Sequence, residues 1–333
     1  MTRPDRISDF CQLGASLGNV SLQGELAEQA CRHNGWFTAE NTHYALQSVL
    51  PWLNRESLSD WMNAYPEPGH AGKIGVVAAG NIPLAGFHDF MCILLAGHRL
   101  DMKLSSQDNQ LIPLIFNILC QINPWWADRC SFVDRIRGCD AVIATGSNNT
   151  ARYFEYYFRH TPLLLRRNRN AAAVLNGAET DASLKGLADD IMRYFGLGCR
   201  SVSHLLVPEG YNLDRLIGNM VHWHHLADHH KYANSLTYQR AILMVDLQPF
   251  TENGLCLFRC SDQIASPVSV VHYSTYRNHA DAIARIKDWG AQLQCVVSHE
   301  GWIPGCIPFG TAQQPRLEDY ADGIDTMQFV TAL

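Results

Sequence analysis

Two glycine-framed turns carry residue types that could attack or polarise a carbonyl. One is Gly196-Leu197-Gly198-Cys199-Arg200-Ser201, and the other is Val76-Val77-Ala78-Ala79-Gly80-Asn81-Ile82-Pro83-Leu84. Bare backbone before Cys199 would let a substrate reach the sulfur, and Arg200 either favours thiolate or points to solvent. Cys199 is one of 11 cysteines, scattered without a CxxC pair, so the competing reading is a small packing residue like the rest. Asn81 either aims an amide donor into a cleft or caps the helix that follows. A third turn, Thr145-Gly146-Ser147-Asn148, leads from a strand into a helix whose first N–H groups suit a phosphate, although such turns also occur without ligands.

Two further clusters could bind ligands. His222, His225 and His229 would share a helix face at i, i+3, i+7, a metal-capable spacing, but no nearby cysteine or HExxH pattern supports a metal, and a structural or substrate-edge role is the preferred reading. Arg166, Arg167 and Arg169 could receive a phosphate; a solvated loop is preferred.

The elements that must position these residues follow from patterning. From residue 73, short apolar runs alternate with segments of helical period, as parallel βαβ units do, so the class is α/β. Expected strands are Lys73–Ala79, Arg99–Leu104, Asp140–Thr145, Ala171–Leu175, His204–Val207, Ala241–Val245, Leu255–Cys260, Val268–Tyr273, Gln294–Ser298 and Thr326–Val330. Helices are expected over Pro83–Ala96, Asn149–Phe158 and Leu184–Phe195, with Gly97 and Gly196 as stops. The first 70 residues, with Trp36, Trp52 and Trp61, read as helical and packed at the surface. The chain has 333 residues, 47% hydrophobic and 17% charged, enough for about two packed domains, and disorder and coiled coil are excluded. A net charge of −6 without a long basic run argues against nucleic-acid binding. No apolar run approaches membrane-spanning length, and Met1–Gln12 has no apolar signal core, so a cytoplasmic location is expected.

The order of these pieces resembles the aldehyde dehydrogenase superfamily. Asn81 is followed by Met102-Lys103-Leu104-Ser105-Ser106, Thr145-Gly146-Ser147, Gly198-Cys199, Ser266-Pro267-Val268 and Ile307-Pro308-Phe309-Gly310. Val77–Leu84 and Cys139–Ser147 look most like the acyl-CoA reductase branch, typified by the fatty acid reductase of bacterial luciferase operons. The resemblance implies an aldehyde-dehydrogenase-like fold of two α/β domains with mostly parallel twisted sheets. Residues 1–196 would form the helical region plus coenzyme domain, 197–310 the catalytic domain, and 311–333 a tail returning to the coenzyme domain or to a subunit interface. It implies Cys199 as nucleophile, Asn81 in the oxyanion hole, Lys103 and Ser106 at the cofactor ribose, Gly146 and Ser147 at its diphosphate, and Pro267 in the cofactor loop.

Three departures from the family pattern have physical consequences. Hydrolytic members carry a glutamate base roughly where Leu165–Asn170 lie here, but no acid occurs from Tyr156 through Ala178. An acyl-Cys199 thioester should then persist until a thiol or hydride arrives. Ser106 replaces the ribose-binding glutamate, which tilts the cofactor to NADPH, with NADH as the alternative. Gln263 replaces a glutamate that helps to place the nicotinamide ribose. The expected activity is reduction of an acyl-CoA or acyl-carrier-protein thioester to an aldehyde, or the reverse oxidation, without metal and with a homo-oligomer or partner enzyme as candidate assemblies. The alternative is a non-catalytic binding or complex subunit that kept the fold.

Overall fold

The structure is a computed structural model that describes residues 1–299 and 301–333. The chain forms two compact units, one of Met1–Asn168 with Arg316–Leu333 and one of Arg169–Pro315.

The first unit begins with helices α1 (Arg3–Leu17), α2 (Val20–His33), α3 (Ala39–Val49) and α4 (Arg55–Asn63). Short polar side chains set where each starts. Thr2 and Asp5 form a reciprocal capping box, and Asn19, Thr38 and Asn54 accept first-turn N–H groups of the next three. A βα alternation follows: β1 (Lys73–Val77), α5 (Phe87–Ala96), β2 (Arg99–Lys103), α6 (Leu111–Ile122), β3 (Cys130–Phe132), β4 (Ala141–Thr145), α7 (Asn148–Tyr157) and β5 (Leu163–Arg166). These strands pair in parallel in the order β3-β2-β1-β4-β5. The connections run outward in opposite directions from β1, so the crevice at the carboxyl ends of β1 and β4 is where such a sheet takes a ligand.

The second unit contains β6 (Asn170–Val174), α8 (Asp181–Met192), β7 (Val202–Pro208), α9 (Asp214–Gly218), α10 (His230–Val245), β8 (Thr251–Glu252), β9 (Leu257–Cys260), β10 (Val270–Tyr276), α11 (His279–Trp289), β11 (Leu293–Ser298) and β12 (Ile307–Pro308). Its sheet runs β12-β11-β6-β7-β10-β9-β8, parallel except for the edge pair β8–β9. Ala171, Ala172, Ala173 and Val174 of β6 are all buried, so both faces of the strand are covered, as a central parallel strand requires. The break expected near Gly196 lies instead at Asn168/Arg169, because β6 is bonded between β11 and β7 and carries its following helix into the same unit.

The chain then returns to the first unit with α12 (Thr326–Thr331), which packs on α5. Thr326–Val330 is therefore helical rather than a strand, and Ala241–Val245 is the last turn of α10. Both are short apolar runs whose composition does not separate strand from helix. In α10 the buried Tyr232, Leu236 and Leu243 recur at helical spacing. The helix expected from Pro83 starts only at Phe87, since Leu84 takes the left-handed conformation at φ 62° and interrupts the ladder. Gly97, at φ 92°, ends α5 as expected. Trp52 and Trp61 are buried rather than superficial, packed with His88, and Trp61 Nε1–H donates to Tyr320 Oη at 2.8 Å.

Two buried groups fasten the returning segment. His98 accepts the Gly72 N–H at Nδ1 (2.9 Å), which leaves Nε2–H to donate to the Val330 carbonyl (2.8 Å). Arg166 pairs with Asp89 at 2.7 Å and donates to Thr326 Oγ1 at 2.7 Å. Arg166 is therefore neither a solvated loop residue nor a phosphate ligand. Arg167 pairs with Glu155, and its backbone N–H donates to Asp322. Removing one partner of a buried ion pair strands the other charge, so Asp89→Ala should cost about 3–5 kcal/mol. A urea titration of the variant measures this, and a loss below about 1 kcal/mol, the level of an exposed pair, would contradict it.

Candidate functional site

In the first unit the carboxyl ends of β1, β2 and β4 carry the expected residues. Gly80 and Asn81 follow β1, and a Cβ built on Gly80 would lie 2.5 Å from Ser105 Cβ, so only glycine lets this turn nest against the loop after β2. Asp108 locks the two loops together, accepting the Leu84 N–H (3.2 Å) and the Leu111 N–H at the start of α6 (3.4 Å). Burial raises the Asp108 carboxyl, against the pull of these N–H groups. Asn81 is exposed and does not cap α5, whose N-cap is Gly86. Lys103 ends β2 with an exposed ammonium that makes no ion pair among the described residues, and Ser106 is exposed in the loop beyond. The Ser106 carbonyl lies 3.0 Å from His33 Nε2.

Beside β1, the end of β4 carries Gly146 and Ser147. Gly146 N–H donates to the Arg166 carbonyl (3.2 Å), and a Cβ there would crowd Thr150 and Phe154 of α7. Ser147 is the N-cap of α7, its Oγ accepting the Thr150 N–H (3.3 Å). One first-turn donor is thereby taken. Sheet order thus brings Asn81, Lys103, Ser106, Gly146 and Ser147 to one end of one sheet.

In the second unit Cys199 is exposed, in a turn closed by Ser201 N–H donating to the Gly198 carbonyl (3.0 Å). Upstream, α8 stops at Met192 rather than running to Gly196, and Tyr194 and Phe195 both adopt left-handed backbone before Gly196. Burial raises the thiols of Cys92, Cys130, Cys256 and Cys295, which makes them poor nucleophiles. Pro267 is exposed in the loop between β9 and β10, and with Phe195, Gly196, Ser203, Tyr232 and Ser266 it lines one small cavity.

That loop is held by two histidines that do not stand out in the sequence. His204 and His272 face each other across β7 and β10, and both ring Nδ1 atoms reach the Gln263 carbonyl, at 3.0 and 2.9 Å. A carbonyl only accepts, so both rings carry the proton on Nδ1, and His204 Nε2 accepts from Ser274 Oγ–H at 2.8 Å. Ser203 Oγ–H donates to the Ile264 carbonyl (2.8 Å). The Gln263 side chain stays exposed. Asp108 and Asp190 were equally hidden. The only sequence cue to Asp190 is an acid among the buried positions Leu187, Ala188 and Ile191 of α8.

His222, His225 and His229 of the 222–230 segment have separate partners. His222 Nε2 lies 2.8 Å from Asp189, His225 Nδ1 lies 3.1 Å from the His222 carbonyl, and His229 caps α10. Among the described residues no three His, Cys, Asp or Glu side chains are grouped to hold a metal ion.

No family model and no curated protein matches this chain by sequence. Solved structures match in fold. Aldehyde dehydrogenase 21 from Physcomitrella patens, solved with the product succinate, has a TM-score of 0.67 at 13% identity over 90% of this chain and 73% of that one. An NAD-dependent benzaldehyde dehydrogenase from Corynebacterium glutamicum gives 0.67 and 13%, covering 90% and 76%. A histidine-to-alanine mutant of the propionaldehyde dehydrogenase from the Clostridium phytofermentans fucose utilisation microcompartment gives 0.61 and 10%, covering 90% and 79%. The chain has the aldehyde dehydrogenase fold.

Two measurements check this geometry. Alkylation of the native protein followed by peptide mass spectrometry should label the exposed Cys31, Cys199 and Cys260 while sparing Cys92, Cys130 and Cys256 until denaturant is added. Cys199 reacting no faster than Cys256 would refute the exposed turn. Burial also lowers His204 to about 4, below its ordinary 6.5, so the unfolded chain takes up this proton first as pH falls. Stability present above pH 6.5 should be lost towards pH 4 by roughly 3 kcal/mol, and His204→Asn should remove that component from the pH dependence of urea unfolding. An unchanged pH dependence would contradict a buried neutral ring.

Proposed function

We propose that the chain is an acyl-thioester reductase that converts an acyl-CoA or acyl-carrier-protein thioester to an aldehyde. The observation that carries this reading is Cys199, an exposed thiol framed by Gly198 and Arg200 in a chain with the aldehyde dehydrogenase fold. Its thiolate attacks the thioester carbonyl, the Asn81 amide and a backbone N–H near Cys199 donate to the oxyanion, and the CoA thiolate leaves. No acid lies between Tyr156 and Ala178, and Leu165 packs into the cluster of Ile136, Val142, Ala144 and Phe158. Without a carboxylate to activate water there, the enzyme thioester survives for reduction.

The residues at the carboxyl ends of β1, β2 and β4 fit a nicotinamide dinucleotide. Lys103 offers an ammonium without an ion pair among the described residues, and no carboxylate at Ser106 would repel a 2′-phosphate, which favours NADPH over NADH. Gly146 and Ser147 would lie by the diphosphate, and Pro267 in the loop that borders the cofactor. When bound, the dinucleotide supplies the hydride that reduces the thioester carbonyl. Cys199 then leaves as thiolate and aldehyde is released. The reverse reaction uses the same groups. No helix among the described residues is long and apolar enough to cross a membrane. The reading places the enzyme in the cytoplasm, and a homo-oligomer or a partner enzyme are the assemblies to seek.

Incubation with an acyl-CoA in the absence of NADPH should add one acyl group to the Cys199 peptide, and Cys199→Ala should abolish it. Asn81→Ala should fold normally and lose about 100- to 1000-fold in rate. A label on another cysteine, or on none, overturns the assignment. Absence of NADPH stabilisation in a thermal-shift titration would instead indicate a binding subunit that kept only the fold.

A further inference from the structure

Asp190 is a carboxylate with almost no exposed surface, and the catalytic reading leaves it unused. It projects from α8, where Oδ2 accepts the Gly310 N–H at 2.6 Å and Oδ1 accepts the Ala312 N–H at 3.0 Å. One helical turn earlier, Gly186 lies against Gly310: a Cβ on either residue would fall 3.0–3.1 Å from the other's backbone. Two residues without side chains thus let residues 309–313 lie directly on α8. From there the segment reaches both sides of Cys199. Arg200 Nη1–H donates to the Ala312 carbonyl (3.4 Å), and Gln313 Nε2–H donates to Ser201 Oγ (3.2 Å). Ser201 Oγ also accepts the Gly198 N–H (3.2 Å) and donates to the Arg193 carbonyl (3.5 Å).

We propose that Asp190 is a positioning residue for Cys199: its carboxylate fixes the Gly310–Gln313 strap, and the strap fixes the peptides on either side of the thiol. The inference deepens the thioester-reductase reading and rests on it for its catalytic meaning. Two N–H groups converge on two separate oxygens, an arrangement that suits the ionised carboxylate, because protonation weakens one oxygen as an acceptor and adds a buried O–H donor. The charged and titratable groups that act on Asp190 are its neighbour Asp189, which pairs with His222, and Cys295 on β11. Burial raises the carboxyl to about 7, against the pull of the two N–H groups. The strap therefore tightens as pH rises through neutrality.

The test is the alkylation rate of Cys199 in the full chain, read by mass spectrometry with the exposed Cys31 as internal reference, from pH 5.5 to 8.5. Wild type should show a rise in the Cys199/Cys31 ratio near pH 7. Asp190→Asn should lack that step and react about tenfold more slowly at pH 8. Wild-type rate and profile in the variant would overturn the proposal. If Asp190→Asn does not fold, Gln313→Leu cuts the last link of the strap with Asp190 intact; it should slow Cys199 similarly, and an unchanged rate overturns the proposal equally. Alkylation needs no acyl substrate. A wild-type protein that takes no acyl group sinks the reductase reading while this readout still decides the role of Asp190, and acyl transfer with an indifferent Asp190→Asn does the converse.

Discussion

The Ser201 hydroxyl is a single buried oxygen with three hydrogen-bonding partners, and the conformation of the cysteine turn depends on it. It receives the Gly198 N–H and the Gln313 amide and gives its own proton to Arg193. An exposed thiol in a glycine turn would otherwise sample many conformations, since glycine imposes little restraint of its own. Here the flanking peptides are restrained instead, through partners supplied by α8 and by the segment after β12. The thiol is exposed while the peptides that flank it are restrained.

The loop carrying Pro267 is held in the same manner. One backbone oxygen, that of Gln263, accepts from two facing histidines, and a serine on β7 takes up the next carbonyl. In the first unit Asp108 does the equivalent for the loops after β1 and β2. In each of these loops a buried polar side chain bonds main-chain groups of the loop or of its neighbour. Such contacts fix backbone position without constraining which exposed side chains the loop displays.

What was legible in the sequence follows from this division. The parallel core strands were readable because they are short apolar runs bounded by turns, and the order of Asn81, Lys103, Gly146 and Cys199 pointed to the fold. Elements were misread where a short apolar run has no period, as at Ala241–Val245 and Thr326–Val330, both helical because of the packing around them. The start of α5 was misplaced because nothing in Leu84 announces a left-handed residue. Arg166 looked like part of a basic knot, since its partner Asp89 lies 77 positions away in the chain. The roles of Asp108, Asp190, His204 and His272 were invisible for the same reason. Each acts on backbone groups contributed by segments that a linear reading cannot pair with it.

The first unit is also discontinuous, and this bears on how the protein is made. During synthesis its five-stranded sheet can form once β5 has emerged, but α12 and the Thr326 partner of Arg166 arrive only after the whole second unit. Until then the apolar surface of α5 that α12 covers and the Val330 acceptor of His98 are missing. The nascent chain therefore carries an unfinished amino-terminal body across the time needed to translate 147 intervening residues, Arg169–Pro315. At roughly 5–20 residues per second that interval is on the order of ten seconds, a window in which chaperone engagement has most to offer.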